Sequence, residues 1–310
     1  MLLDSASLYF RAFFGVPDSL KAPDGTVVNA VRGMLDFVAT LTEKYQPDAI
    51  VAAWDDDWRP AWRVELIPSY KTHRVVSTGS TTEEAGSTTE EAGEEEVPDL
   101  LSPQVPIIAQ ALTLLGIPVV GCNGAEADDI IGSLAKAWAG PVVVVTGDRD
   151  LFQLVDDDHP TRVLYTARGV GNHDVVDAAW IRAKYNIEPS QYVDFAVMRG
   201  DASDGLPGVP GIGEKTAATL LSAHADIDGI LAAADDPTSD LRPRIRQSLL
   251  DSRDYIAAAR TVVTVREDVA SVGDVVPLQP LSPDVKSELT AFGETWGLGG
   301  VPQRVIDALP

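Results

Sequence analysis

Carboxylate side chains in this sequence come directly after three apolar segments and cluster once more at the start of a predicted helix. Because ligands of α/β sheets bind outside the carboxyl ends of the strands, acids that follow separate strands are expected to converge there. Carboxylate oxygens are the ligands that hard divalent cations prefer. A lone Asp after a strand is more often a helix cap, but four such places together favour a metal site. The acids concerned are Asp4, Asp55, Glu126, Asp128, Asp129, Asp148 and Asp150.

A second stretch combines two further carboxylates with a glycine-rich loop. Asp201 and Asp204 precede the segment from Gly208 to Gly213, and a helical pattern with Lys215 in its first turn follows. Glycines let a backbone approach a phosphate closely, and the N–H groups at a helix start bind anions. The pattern indicates metal ligands together with a phosphate-binding loop. An ordinary surface turn ahead of a helix is the alternative interpretation.

Aromatic and basic residues are interleaved between residues 58 and 74. Stacking rings alternating with cations are typical of surfaces that bind nucleic-acid ends or single strands. Trp58 and Trp62 fit better as the buried face of an amphipathic helix. The candidates for nucleic-acid contact are Arg63, Tyr70, Lys71 and Arg74.

The elements that position these residues are predicted from the spacing of apolar residues. Short apolar runs predict strands at 2–3, 50–54, 118–120, 142–146 and 163–166. Amphipathic patterns predict helices at 7–14, 29–45, 102–115 and 126–138, and after residue 177 at 178–185, 189–198, 214–223, 242–250, 253–265 and 283–296. The chain is therefore predicted to form an α/β domain with a central, mostly parallel sheet at 1–173 and a helical domain at 174–310.

The charge of the chain is acidic and unevenly distributed. The 310 residues carry a formal net charge of −23, and eight acids with no Lys or Arg lie between Val75 and Leu100. Within that stretch Ser80–Gly86 repeats unchanged as residues 87–93. The low-complexity insert, about residues 77–99, is expected to be a mobile acidic loop without a catalytic role. Acidity argues against nucleic-acid binding, but cations held by the clustered acids would offset it.

Several other classes of protein are excluded. A single cysteine, Cys122, is incompatible with a disulfide framework or a cysteine zinc site. There is no run of about 18 apolar residues to span a membrane, and the first residues do not form a signal-peptide pattern. We expect a cytoplasmic protein with no membrane contact.

Taken together, the motifs resemble those of the 5′→3′ exonuclease and flap endonuclease family, which includes the 5′-nuclease domain of bacterial DNA polymerase I. The similarity extends over nearly the whole chain. It is carried by Leu3-Asp4-Ser5, Trp54-Asp55, Tyr70-Lys71-Thr72-His73-Arg74, Glu126-Ala127-Asp128-Asp129, Thr146-Gly147-Asp148-Arg149-Asp150 and the stretch Gly200–Ala218.

The resemblance implies a PIN-like nuclease domain followed by a helical domain with a helix–three-turn–helix motif. In the family's pattern Asp201 and Asp204 join the seven acids above as metal ligands. Arg63 and Lys71 match residues that steer the scissile phosphate, and Tyr70 matches a ring that stacks near the strand end. The acidic insert stands where the family has its helical arch. The positions matching DNA contacts are Arg74, Ser203, Gly208, Val209, Gly211, Ile212, Gly213, Lys215 and Thr216.

The implied activity is that of a structure-specific 5′-nuclease in DNA replication and repair. It would hydrolyse DNA phosphodiester bonds as a 5′→3′ exonuclease and 5′-flap endonuclease, using two Mg²⁺ or Mn²⁺ ions, with K⁺ at the helix–three-turn–helix. Expected substrates are DNA with 5′ ends, flaps, nicks or gaps, bound by a monomer that also meets replication or repair proteins. One alternative is a metal-dependent phosphatase of small substrates, which would not need the glycine loop. Another is a catalytically silent DNA-structure-binding protein, which would not need the acids.

Overall fold

The structure is a computed structural model that describes residues 1–75 and 97–310. Its strands are β1 (Leu2–Asp4), β2 (Val51–Ala53), β3 (Val119–Val120), β4 (Val142–Thr146), β5 (Thr161–Tyr165) and β6 (Asp174–Val176). Its helices are α1 (Ser5–Gly15), α2 (Asn29–Tyr45), α3 (Ala61–Leu66), α4 (Gln104–Leu114), α5 (Ala127–Ala137), α6 (Ala178–Tyr185), α7 (Tyr192–Arg199), α8 (Glu214–His224), α9 (Ile227–Asp235), α10 (Pro243–Asp251), α11 (Arg253–Val263), α12 (Pro283–Thr295) and α13 (Val301–Ala308). The predicted acidic insert at 77–99 lies outside the described residues except for 97–99.

The chain divides into two compact units. The first contains Met1–Asp56, Val97–Asp177 and Arg266–Pro310. The second contains Asp57–Glu96, of which residues 57–75 are described, and Ala178–Val265. This differs from the predicted division at 173/174 because residues 57–75 join the helical unit, and the last 45 residues join the sheet-containing one.

The first unit is built on a six-stranded sheet in the order β3-β2-β1-β4-β5-β6. β1 to β5 are parallel, and β6 pairs with β5 in the antiparallel direction. β1 lies at the centre, with Leu2 opposite both Val51 of β2 and Val144 of β4. Since all five parallel strands point the same way, their carboxyl ends share one edge of the sheet.

Helices cover the sheet and form the hydrophobic core of the first unit. α1 and α2 approach closely at Gly33, where an added Cβ would lie 2.7 Å from the Ala12 Cβ. The last helix, α13, packs on α2, and Arg304 bonds to Asp36, Thr40 and Glu43. These contacts explain why the final residues belong to the first unit.

The second unit is helical and has α7 at its centre. Tyr192 and Phe195 of α7 are fully buried and contact the ring of Tyr185 at centroid distances of 5.9 and 5.3 Å. α7 and α8 are joined by residues 200–213, which contain a short 3-10 turn at Ala202–Asp204. This helix–loop–helix is consistent with the predicted helix–three-turn–helix.

The predicted strands and the long predicted helices are confirmed, with shifts of a few residues at their ends. The short elements α9, α13 and β6 were not predicted. The amphipathic helix predicted around Trp58 and Trp62 is found as α3, which contains Trp62 but begins after Trp58, and both rings are half-buried. No helix within residues 1–75 and 97–310 is long and apolar enough to cross a membrane.

Candidate active site

The carboxyl edge of the first unit's sheet carries the predicted acids. Asp4 is the last residue of β1, and it stands in register with Ala53 at the end of β2. Asp55 follows β2 by two residues, and Asp148 follows β4 by two residues. We call Asp4, Asp55, Glu126, Asp148 and Asp150 the acidic edge.

Asp4 is a deeply buried member of the acidic edge. Its side chain is 5% exposed; it accepts from the Thr146 hydroxyl at 2.5 Å and from the Ser7 amide at 3.1 Å. Burial is the main cause that raises the pKa of Asp4, and repulsion from Asp55 and Asp148 adds to it, giving a pKa of about 7. The carboxyl group therefore lies in a pocket whose charge is already negative.

Asp55 ties the end of β2 to the start of α5. Its Oδ1 accepts from the Ala127 amide at 2.7 Å. The neighbouring Glu126 is 3% exposed and Asp128 is half-buried. The contact brings the predicted acid cluster of α5 to the strand ends.

Asp129 uses its carboxylate differently from the acidic edge. One oxygen accepts from the Glu126 amide at 3.0 Å and the other accepts from the Arg266 amide at 2.9 Å. The side chain is fully buried. It forms a capping box with Glu126 and anchors the chain where it returns to the first unit. The predicted ligand role of Asp129 stays a prediction, while both oxygens have a structural use.

A tight turn after β4 presents Asp148 and Asp150. The Asp148 amide donates to Thr146 Oγ1, and the Asp150 amide donates to Asp148 Oδ1, both at 2.8 Å. The Gly147 amide donates to Ser7 Oγ at 2.7 Å, and a Cβ on Gly147 would lie 2.8 Å from that oxygen. Thr146 thus orients both Asp4 and the turn, a role that the sequence reasoning missed.

The donor set of the acidic edge fits a hard divalent cation. Its oxygens are carboxylates, and the pKa of Asp4 is raised mainly by burial and further by the negative charges of Asp55 and Asp148, which a cation would compensate. Within the described residues no three His, Cys, Asp or Glu side chains converge closely enough to hold one ion by themselves.

Asp201 and Asp204 lie in the second unit, each beside an arginine. Asp204 is buried and pairs with Arg74 at 2.8 Å, and Asp201 contacts Arg199 at 3.4 Å. Asp201 also accepts from the Ser203 amide at 2.9 Å and caps the 3-10 turn. Their predicted ligand roles therefore involve carboxylates that are already paired.

The predicted steering residues are buried within the second unit. Arg63 is 2% exposed, and its Nε donates to the Val262 carbonyl of α11 at 3.1 Å. Tyr70 and Lys71 are buried, and Lys71 Nζ donates to the Trp58 carbonyl at 3.3 Å. Arg59, which the sequence reasoning did not single out, braces this segment by donating to the Tyr70 carbonyl at 2.7 Å. The steering role of the three residues stays a prediction.

The segment Pro207–Gly213, called the glycine loop, leads into α8. The Val209 amide donates to the Met198 carbonyl at 2.9 Å, and the Ile212 amide donates to the Val209 carbonyl at 3.0 Å. Gly211 and Gly213 are exposed, and an added Cβ at either would meet no atom within 4 Å. Open space therefore lies in front of the backbone that the sequence predicts to bind phosphate.

The remaining predicted DNA contacts also lie in the second unit. Lys215 is exposed in the first turn of α8, and Thr216 next to it is half-buried. Arg74 donates to the Ser203 carbonyl at 2.9 Å in addition to its contact with Asp204. The arrangement groups all these positions within one unit.

Comparison with known protein families identifies both parts of the chain. Residues 1–186 match the family described as 5′-3′ exonuclease, N-terminal resolvase-like domain. Residues 187–286 match the family described as 5′-3′ exonuclease, C-terminal SAM fold.

Two relatives matched over nearly their whole length are described as 5′-3′ exonucleases, and a third match covers part of a DNA polymerase. A 5′-3′ exonuclease of Streptomyces coelicolor is 53% identical over 309 residues, covering 100% of this chain and 99% of that protein. A 5′-3′ exonuclease of Mycobacterium tuberculosis is 44% identical, covering 100% and 98%. DNA polymerase I of Mycobacterium bovis is 35% identical over 92% of this chain and 29% of the polymerase.

Solved structures share the fold at low sequence identity. The bacteriophage T5 flap endonuclease, solved with DNA and metal ions, has a TM-score of 0.63 at 18% identity and covers 99% of this chain and 98% of that one. The catalytic core of Rad2 in complex with DNA substrate has a TM-score of 0.61 at 15% identity, covering 100% and 92%. The predicted fold class and family are thereby confirmed, and the chain belongs to the 5′-3′ exonuclease family.

Proposed function

We propose that the protein hydrolyses phosphodiester bonds in DNA that carries a 5′ end, flap, nick or gap, and that it requires two Mg²⁺ or Mn²⁺ ions. The observation that carries this proposal is the negative pocket around Asp4, built from three strand ends and the start of α5. An enzyme acting on a polyanion would gain little from such a pocket without cations. The T5 structure solved with DNA and metal ions supports the same proposal.

The residues of the acidic edge have distinct tasks in the proposed reaction. Asp4, Glu126, Asp148 and Asp150 are the proposed inner ligands, and Asp55 holds the start of α5 against the strand ends. Thr146 fixes the Asp4 carboxylate through its hydroxyl. The chemistry that bound cations supply is activation of water and stabilisation of the leaving oxygen. Asp55, Asp128, Asp129, Asp201 and Asp204 complete the proposed set of metal-site acids.

The glycine loop is the proposed binding site for the phosphates of duplex DNA. Gly211 and Gly213 are exposed with open space beside them, Lys215 adds a positive charge, and backbone N–H groups here and in the first turn of α8 are the proposed phosphate ligands. Contacts of this kind read the shape and charge of the backbone, so recognition should follow DNA structure and not base sequence. A potassium ion held in the same loop is part of the proposal.

Further proposals concern contacts with the end of the DNA strand and the oligomeric state, location and partners of the protein. Arg63 and Lys71 would steer the scissile phosphate, and Tyr70 would stack near the strand end. Since these side chains are buried in the structure, their use requires that DNA binding move them. The protein is proposed to act as a monomer in the cytoplasm, alongside replication or repair proteins.

The decisive experiment compares cleavage of a labelled 5′-flap duplex in Mg²⁺ and in Mn²⁺. Wild type should cleave near the flap junction, and Asp148→Asn should lose at least about a hundredfold in rate because a charged ligand is removed. Glu288→Gln, an exposed acid on α12, is the matched control and should cleave normally. Equal cleavage by wild type and Asp148→Asn would refute the assigned site. Turnover of a generic phosphate ester without DNA cleavage, or flap binding in EDTA with no cleavage in either metal, would refute the nuclease.

A further inference from the structure

The glycine loop is held by side chains from two helices that follow it by about 40 residues in the sequence. The Gly208 amide donates to the hydroxyl oxygen of Tyr255 on α11 at 2.9 Å. That hydroxyl donates in turn to the Val197 carbonyl in the last turn of α7 at 3.2 Å. From α10, the Ser248 hydroxyl donates to the Pro210 carbonyl at 2.5 Å.

The Tyr255 hydroxyl completes hydrogen bonds that the backbone leaves open. The last four carbonyls of a helix have no partner within the helix. In α7, the Ala196 carbonyl accepts from Gly200 and the Met198 carbonyl accepts from Val209. Val197, between them, accepts from Tyr255. The Tyr255 hydroxyl thus connects the end of α7 to Gly208 at the start of the glycine loop.

At the start of the glycine loop, the backbone of Gly208 packs directly against the backbone of Arg199 and Gly200. A Cβ on Gly208 would lie 2.6 Å from the Arg199 carbonyl oxygen, and a Cβ on Gly200 would lie 2.6 Å from the Gly208 nitrogen. Val209 and Ile212 of the loop are buried, but neither Gly200 nor Gly208 has a side chain to fix the register at this point. Burial raises the pKa of the Tyr255 hydroxyl above its ordinary value, so it keeps the proton that it donates.

We propose that Tyr255 is a positioning residue for the phosphate-binding glycine loop, and that its hydroxyl sets the register in which the backbone of Gly211 and Gly213 meets duplex DNA. This inference rests on the proposed DNA-binding role of the loop. Tyr255 need not touch DNA, because it acts through the Gly208 amide. Ser248 supports the same loop on its other side.

The test uses Tyr255→Phe, which removes the hydroxyl and keeps the ring. Loss of one net hydrogen bond should weaken flap binding by about fivefold, measured in Ca²⁺ to prevent turnover. The KM for flap cleavage should rise by a similar factor, while kcat at saturating flap stays within about twofold. The slope of log K against log salt should become shallower by about one unit if one phosphate contact is lost.

Tyr45→Phe is the matched control in the first unit. Its hydroxyl also makes a side-chain hydrogen bond, to His173 Nε2 at 2.5 Å. The control should lower thermal stability by a comparable amount and leave KM and the salt slope unchanged. A Tyr255→Phe protein that lost only thermal stability, as the control does, would overturn the proposal.

Gly213→Ala separates the failure of this inference from the failure of the proposed function. It places a methyl group in the open space where the loop meets phosphate, and it should raise KM by itself. Adding Tyr255→Phe should then raise KM by less than the product of the two single effects, because both act on one contact. If Gly213→Ala raises KM and Tyr255→Phe does not, the loop binds DNA without help from Tyr255. If Gly213→Ala leaves KM unchanged, the glycine loop does not bind DNA. The proposed positioning role of Tyr255 is then overturned as well.

Discussion

The acidic edge and the glycine loop are constructed in opposite ways. The acidic edge collects charged side chains from residues 4, 55, 126, 148 and 150, which only the sheet brings together. The glycine loop is a continuous segment whose useful groups are backbone amides. At the acidic edge the side chains themselves are the proposed ligands. At the glycine loop the side chains only support the backbone that is proposed to bind phosphate.

This difference determines how each region responds to substitution. Burial, and secondarily repulsion from Asp55 and Asp148, disfavours the charge of Asp4, so removing that charge should harm activity and yet stabilise the metal-free protein. The glycine loop contains no charge to remove. It should fail when a side chain is added, or when a distant supporting hydroxyl is deleted.

The largest expected effect is that of Asp4→Asn. Flap cleavage should fall by at least about a hundredfold, because several kcal/mol of charge stabilisation in such sites depend on the ligands. In the folded state Asp4 has a pKa of about 7, against 3.8 for an ordinary Asp. The folded protein therefore holds a proton between about pH 4 and 7 that the unfolded chain releases.

It follows that the metal-free wild type should gain stability as the pH falls through 7, and should be less stable at pH 8 than at pH 5.5. Asp4→Asn should show a weaker pH dependence and should be the more stable protein at pH 8. Thermal unfolding in EDTA at the two pH values measures this. A variant that is less stable than wild type at pH 8 would contradict the account of repulsion at the acidic edge.

Two glycine substitutions should separate fold from function in the glycine loop. Gly208 has φ +72°, and an added Cβ would meet the Arg199 carbonyl at 2.6 Å, so Gly208→Ala should cost about 1–3 kcal/mol of stability. Gly213 has φ −100° and open space, so Gly213→Ala should fold normally and lose only DNA affinity. Chemical denaturation and flap binding in Ca²⁺ distinguish the two. Similar losses of stability for both variants would contradict the presence of open space beside Gly213.

Asp129→Asn should show that not every acid at the start of α5 belongs to the acidic edge. Both oxygens of Asp129 accept backbone amides, and an amide NH₂ would face one of these donors. We expect a stability loss of about 1–3 kcal/mol and a smaller loss of cleavage rate than Asp148→Asn gives. Urea unfolding and single-turnover cleavage provide the two numbers. A rate loss as large as that of Asp148→Asn would show that Asp129 is a ligand after all.

The smallest effect is expected for Arg304→Met, far from either region in the sequence. Arg304 pairs with Glu43 at 3.0 Å and with Asp36, but its side chain is 37% exposed. An exposed pair contributes at most about 1 kcal/mol, so the melting temperature should fall by about 1–3 °C, and less in high salt. Cleavage and flap binding should not change. A marked loss of either would mean that α13 supports a site.

Much of this architecture is predictable because the signals are local. The apolar run Val142–Val145 followed by Thr146 forms β4 with the predicted bounds, as Asn29–Tyr45 does for α2. The acids that follow strands could be placed at one edge from the parallel topology alone. Even α9 had a usable signal, since Asp226 caps it and accepts from the Gly229 amide at 2.7 Å.

What could not be predicted depends on contacts between distant segments. No periodicity indicates that residues 266–310 return to the first unit, because this is decided by contacts of distant apolar residues such as Val305 and Ile306 with the core of that unit. The burial of Arg63 depends on the Val262 carbonyl, 199 residues away. Likewise, the structural use of Asp129 depends on the Arg266 amide. Sequence spacing predicts where an acid lies but not which partner it meets.

The central place of β4 in the sheet, between β1 and β5, has a consequence for synthesis of the protein. A nascent chain that has not yet emerged as far as residue 150 lacks Asp148 and Asp150, and its β1 has only one of its two neighbours. Such a chain has no complete set of acids with which to retain cations. Hydrolytic capacity would therefore arise late, when the middle of the polypeptide leaves the ribosome, and truncated translation products should be harmless to the genome.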